Sequence, residues 1–369
     1  MPRFCFVLAF ITGLLLPALV QAETAVWNEQ SERLELSRFV DYRVESSPSS
    51  FSQVQALPEA EWQQNGSDSV SLGYGGDVYW FRVSLRNARA AEALTFLEIS
   101  YPVLDRIELY RSSGASPPQP LVLGDKQPFH ERPIHHRNFV VPIAIAPDTT
   151  ETLYLRVETT SSMQVPLTLW DQEAFYAAEQ SRSMFEGDYY GIVLVMILYN
   201  LFVYMAVRER SFLYYVGYIS SMPLFLASLH GVAFQYLWPE ATWWNDQSII
   251  VFLNLVVLFG GVFSIRFISV TRQNHPYLNR WTMAMVMTAG LLALAGLFVP
   301  YEHMILPTIL AAFVGCSTML MLSVVRWIKR DPAARYYTVA WVFMLFGGIV
   351  LALSKFTVLP RNLITENAT

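Results

Sequence analysis

Charge is scarce in this sequence. Asp, Glu, Lys and Arg make up 15% of its 369 residues, against 53% hydrophobic, where a soluble domain usually carries about 25% charged residues. An ordinary soluble enzyme is therefore excluded as a description of the whole chain. The shortage is uneven: residues 1–186 hold 14 Lys/Arg and 23 Asp/Glu, whereas residues 187–369 hold 11 and 7. The chain reads as a polar, acidic half followed by an apolar, slightly basic half. Cysteine is almost missing too, with only Cys5 and Cys316 present. Cys5 falls in an expected leader, so an intramolecular disulfide is excluded from the mature chain. Its polar half must be held by a core, and roughly 160 residues suffice for one. Sequences that carry catalysis are lacking as well: there is no HExxH helix spacing, no phosphoacceptor histidine box and no nucleotide-binding glycine loop. No catalytic residue, metal site or cofactor is expected within these residues.

The first 22 residues read as a secretory signal peptide. Arg3 supplies the positive start, Phe4 to Val20 the apolar run, and Val20-Gln21-Ala22 the small residues before a cleavage site. Residues 23–170 are then expected outside the membrane. They alternate with period two: Ile107 and Leu109 against Arg106, Glu108 and Tyr110, and Leu153, Leu155 and Val157 against Tyr154, Arg156 and Glu158. Turn-forming stretches such as Asn65-Gly66, Gly75-Gly76-Asp77 and Pro147-Asp148 separate these runs. Short half-buried strands at this spacing predict an all-β sandwich, jelly-roll-like in form. Asn65-Gly66-Ser67 reads as a tight turn rather than a glycosylation site. Three of the six histidines fall in His130-Glu131-Arg132-Pro133-Ile134-His135-His136. With a proline inside it, this run reads as a polar loop or strand edge that touches ligand, not as a metal site.

Residues 171–188 are expected to form a polar connecting helix or rigid linker, and 189–355 an all-α polytopic membrane bundle. Six apolar stretches of spanning length are visible: approximately Tyr189–Val207, Phe212–Val232, Ser248–Ile268, Trp281–Val299, Met304–Val325 and Tyr336–Leu353. Their interiors carry almost no ionisable groups; His230, Arg266 and Lys355 lie at or near ends. Arg208, Arg210, Arg266, Arg272, Arg280, Arg326, Lys329, Arg330 and Arg335 all flank the odd-numbered loops, and the even-numbered loops carry no Lys or Arg. The odd loops are therefore cytoplasmic, which agrees with an exported N-terminus. The short tail 356–369 is then expected outside. Asn200 and Asn254 are expected to hydrogen-bond between helices, and Gly260-Gly261 to permit close helix contact.

Several stretches carry a resemblance. Val78-Tyr79-Trp80-Phe81-Arg82-Val83, Leu104-Asp105-Arg106-Ile107-Glu108-Leu109-Tyr110, Gly124-Asp125 with Pro128-Phe129 and Arg132-Pro133, and Tyr154-Leu155-Arg156-Val157 follow in order. Tyr189-Tyr190-Gly191 through Tyr199-Asn200-Leu201-Phe202 and Arg208–Tyr218 come after them. Together the chain resembles bacterial seven-transmembrane receptors with diverse intracellular signalling modules. The resemblance implies a signal-transduction receptor in the inner membrane with its sensor domain in the periplasm. It implies a cytoplasmic output domain, a histidine kinase or a diguanylate cyclase, and a seventh span. Both would lie beyond Thr369, since Leu359-Pro360-Arg361-Asn362 resembles the loop before that span.

The resemblance implies that the sensor domain binds a small molecule, with carbohydrate as one candidate class, and the candidate ligand residues are Trp80, Tyr110, Arg132 and His135, with Trp62 by type; most of these aromatics, Trp80 above all, are expected to pack in the core. A sugar site wants an aromatic platform with polar groups around it. The other expected partners are the lipid bilayer and a second copy of the chain, with no nucleic acid. Two competing readings are a transporter with an exported accessory domain and a membrane-anchored binding protein. The absence of ionisable groups within the spans weighs against a transport path for charged solutes.

Overall fold

A computed structural model of the chain describes residues 24–112, 119–330 and 332–355. The expected leader and the tail 356–369 lie outside the described residues. The first part is an all-β sandwich of two main sheets. The larger is built from β3 (Val40–Val44), β4 (Gln63–Gln64), β6 (Tyr79–Asn87), β8 (Arg106–Arg111), β9 (Leu121–Leu123) and β11 (Thr150–Glu158), in the order β4-β3-β6-β11-β8-β9. A short parallel strand, β1 (Ala25–Trp27), pairs with the end of β6. The smaller sheet has β2 (Arg33–Glu35), β7 (Ala93–Ile99), β10 (Phe139–Ile145) and β13 (Leu167–Asp171), in the order β10-β7-β13-β2. From β6 onward most connections between these main strands pass to the opposite sheet, the wrapping of a jelly-roll-like sandwich. A separate ribbon pairs β5 (Ser71–Tyr74) with β12 (Ser162–Gln164).

Alternation decides which side chains enter the core. On β6, Phe81, Val83 and Leu85 point inward, and on β11 Leu153, Leu155 and Val157 meet them. Phe139, Val141, Ile143 and Ile145 of β10, with Leu97 and Ile99 of β7, close the core from the other sheet. Each such side chain contributes about 1.5–3 kcal/mol relative to exposure, which is how the domain does without a disulfide.

The outward face of the smaller sheet is covered as well. β13 ends at Asp171, and the next residue opens α2 (Gln172–Val207); a short α1 (Phe51–Gln55) precedes it in the chain. Asp171 caps α2, accepting a hydrogen bond from the Glu173 amide. Phe175 of α2 then packs on Phe96, Val140 and Trp170. The polar connector and the first apolar stretch are thus one continuous helix of 36 residues, about 54 Å long at 1.5 Å per residue.

The bundle continues with α3 (Arg210–Leu229), α4 (Val232–Tyr236), α5 (Thr242–Phe267), α6 (Pro276–Ala295), α7 (Tyr301–Ile328) and α8 (Pro332–Lys355). Among the described residues, α2, α3, α5, α6 and α7 are long and apolar enough to cross a membrane; the sixth stretch expected from the sequence lies on α8. α5 is the central helix, packed on α3, α6 and α7. A Cβ at Gly261 would lie 2.6 Å from Val286 Cγ2, so this close approach of α5 and α6 depends on glycine. Asn254 bonds across helices, donating to Thr308 Oγ1 at 2.9 Å, whereas Asn200 donates to the Met196 carbonyl of its own helix.

The sandwich rests on the end of the bundle that carries the even-numbered loops. Phe225, Leu229, Ile249 and Tyr301 reach into the cluster that contains the sandwich core. At the opposite end Lys329 and His275 of the basic loops meet at 3.1 Å. The loops free of Lys and Arg therefore face the exported domain, as the charge asymmetry requires.

Candidate functional site

Two regions of the exported half bring chemistry-bearing residues together. The first is the outward face of the larger sheet. Register places Arg43, Trp80, Arg156 and Glu108 side by side across β3, β6, β11 and β8. The next row is Asp41, Arg82, Tyr154 and Tyr110. The Trp80 and Tyr110 rings are 5.6 Å apart, so two candidates separated by thirty residues share one surface. The segment carrying α1 folds over them: Phe51 stacks on Tyr110 at 4.7 Å and 2°, and Trp62 lies beside Tyr154. Trp80 is consequently 1% exposed.

Charged pairs ring these aromatics. Arg82 pairs with Asp41 at 2.9 Å and with Glu59, and its guanidinium lies 4.5 Å from the Trp62 ring centroid. Arg156 pairs with Glu45 at 2.8 Å, and the Ser49 amide donates to the same carboxylate. Burial alone would raise the Glu45 carboxyl, but these hydrogen bonds outweigh it and hold it below its ordinary value. Tyr110 donates to Glu108 Oε2 at 2.8 Å. Burial, then that carboxylate, push its phenol up to about 12, so it remains a donor at neutral pH. Stacking surfaces and fixed polar groups thus lie on one face.

The second region is the junction between sandwich and bundle, and it holds Arg132 and His135. The polar run 124–138 bridges the two parts. The Phe129 amide donates to the Pro239 carbonyl at 2.9 Å, a backbone bond between domains. Phe129 meets Phe234 of α4 edge-on at 5.7 Å. Lys126 pairs with Asp246, and His130 lies 2.9 Å from Glu240. Arg132 is buried with its guanidinium over Phe129, Phe139 and Phe234, donating to the carbonyls of His136 and Arg137 at 2.8 and 2.7 Å. Burial lowers it to about 10, still charged at neutral pH. His135 is exposed, and its carbonyl accepts from Gln235 at 3.4 Å.

The same run also grips α2. His136 lies 3.2 Å from Glu179, and Arg137 pairs with Glu186. Asn138 donates to Glu98 at 2.6 Å, Trp170 donates to its other oxygen at 2.8 Å, and Arg182 lies 3.9 Å away. The three clustered histidines therefore have three different surroundings, and among the described residues no group of three potential ligands could hold a metal. The structure brings Trp80 and Tyr110 together, and places Arg132 and His135 at the junction. Sequence reasoning missed Glu98, Asp125, Glu179, Glu186, Phe234 and Asn245. One signal was available: Phe175, Glu179, Arg182 and Glu186 recur at helical spacing, so the connector has a face for docking.

An exported sandwich clamped to the outer end of a multi-pass helical bundle is the architecture of a membrane sensor receptor. The comparisons with known families agree. A family model described as 7TM diverse intracellular signalling matches residues 182–369, and one described as 7TMR-DISM extracellular 2 matches residues 37–171. The first covers half of the chain, which belongs to the 7TM diverse intracellular signalling family. No curated protein matches the chain.

Proposed function

We propose that this chain is the input half of a signalling receptor. The exported sandwich binds a small ligand of the carbohydrate class on the Trp80–Tyr110 face and transmits binding through the 124–138 junction into the bundle. The observation that carries this reading is the Phe51–Tyr110 stack, in which one ring of the chain lies flat on another above a rim of Arg156, Glu45 and Glu108. A sugar ring stacks on an aromatic face in the same way, with its hydroxyls reaching the rim. Binding there displaces Phe51 and the α1 segment. Arg132 and His135 serve the transmission step. As an input module, the chain acts on a cytoplasmic output domain, a histidine kinase or diguanylate cyclase, by shifting a two-state equilibrium of the bundle.

Calorimetry of the full chain in lipid nanodiscs against a panel of mono- and oligosaccharides tests this reading. Tyr110→Ala is expected to weaken binding by tenfold or more. Phe51→Ala, which removes the self-occupant, is expected to strengthen it. If no saccharide binds, the ligand class is refuted; binding that ignores both substitutions refutes the site.

A further inference from the structure

We propose that the sandwich–bundle junction is a proton-responsive latch, closed while the Asp125 side chain is neutral and loosened when it ionises. Asp125 lies in the 124–138 run and is buried against the bundle, 2% exposed. Its Oδ1 has no hydrogen-bond partner among the described residues, and its Oδ2 has the Asn245 amide of α5, 3.5 Å away at the outer limit of a hydrogen bond, with a weak contribution from its own backbone amide. Two cations are near, yet neither pairs with it. Lys126 is turned to Asp246 of α5. Arg132 gives its hydrogen bonds to two backbone carbonyls and faces three aromatic rings. Asp105 adds a like charge from the sandwich, and the Tyr301 phenol of α7 faces both carboxylates, with Tyr101 beside it.

A buried carboxylate with so little hydrogen bonding and no ion pair is costly, whereas its neutral form is much less so. Undocking returns Asp125 to water, where ionisation costs nothing, so the two states bind the proton with different strength. Burial, assisted by Asp105 and opposed by Lys126, Arg132 and a hydrogen bond from its own backbone amide, pushes the docked carboxyl up to about 7. The exposed group titrates near about 4. A carboxyl raised in the docked state favours docking fully at low pH, and this contribution is lost as pH rises toward 7. The latch thus tightens on acidification of the outer compartment, and it does so whatever ligand the sandwich binds.

Hydrogen exchange of the full chain in nanodiscs tests this through the Phe129 amide, whose bond to Pro239 exists only when the domains are docked. Its protection, normalised to the unstructured rate at each pH, is expected to fall by up to tenfold per pH unit between about 4 and 7, then level off. The Leu155 amide at the centre of the larger sheet should show no such slope. Asp125→Asn is expected to flatten the Phe129 profile at its acid-side protection, and Asp125→Glu to restore a slope. Infrared difference spectra of the unmodified chain provide a measurement that needs no variant: a protonated-carboxyl band should disappear as pH rises through about 7. A flat Phe129 profile in the unmodified chain, a slope surviving in Asp125→Asn, or the absence of that band overturns the proposal.

Discussion

Replacing Gly231 by alanine perturbs the junction while leaving both hydrophobic cores intact. Gly231 sits between α3 and α4 at φ +74, and a Cβ there would lie 2.8 Å from Pro102 Cβ and 3.0 Å from the Arg137 carbonyl oxygen of the sandwich. Two costs follow. The left-handed conformation costs an alanine about 1 kcal/mol, and moving Pro102 and the 137 carbonyl by a few tenths of an ångström costs about 1 kcal/mol more. Undocking relieves the contact outright and frees the turn to relax, so both weigh against the docked state. A change of about 2 kcal/mol is roughly thirtyfold in the opening equilibrium. Hydrogen exchange at the Phe129 amide reads that opening directly, and Gly231→Ala is expected to accelerate it by about that factor with Leu155 unchanged. An unaltered Phe129 rate beside a lowered melting temperature would refute the reasoning, because the glycine would then serve its own turn alone.

Other expectations concern the separate halves. Asn254→Ala removes the α5–α7 bond to Thr308 and should lower bundle stability by about 0.6–2 kcal/mol, read as earlier unfolding in a denaturing-detergent titration. Glu45 is held below its ordinary carboxyl value, so its contribution is present above that value and lost as pH falls through the folded one. Denaturant unfolding at neutral pH and below about pH 4 should therefore show a larger acid loss in the unmodified chain than in Glu45→Gln; equal losses would remove the Arg156–Glu45 pair from the account.

The sandwich was legible in the sequence because half-buried strands must alternate, as β8 does and as β11 does apart from Tyr154, which the α1 segment covers. The smaller sheet was harder. Phe96 and Glu98 of β7 are buried alongside Leu97 and Ile99, since α2 covers the face that would otherwise be wet, and a strand buried on both sides loses its period. The Trp80–Tyr110 pairing follows from strand register, which only the partner strand fixes. The junction was least legible. Arg132 and Asp125 stand in a polar, proline-containing run that reads as polar loop, and residues a hundred or more positions away, Phe234 and Asn245, help to bury them. The spans were plain from hydropathy and loop charge. The connector was legible as a helix or rigid linker; its running on unbroken into the first span follows because nothing in 171–188 breaks a helix at the membrane surface.

The exported sandwich is seated on the bundle as one unit, so that an event in the sandwich is felt in α2 and the α3–α5 loop. Spin labels on the exposed positions Thr149 and Glu302, in a Cys316→Ser background in nanodiscs, measure it by the distance distribution between the two halves. A single narrow distance is predicted at acid pH. A broad distribution, as from a domain swinging on a tether, would contradict the account.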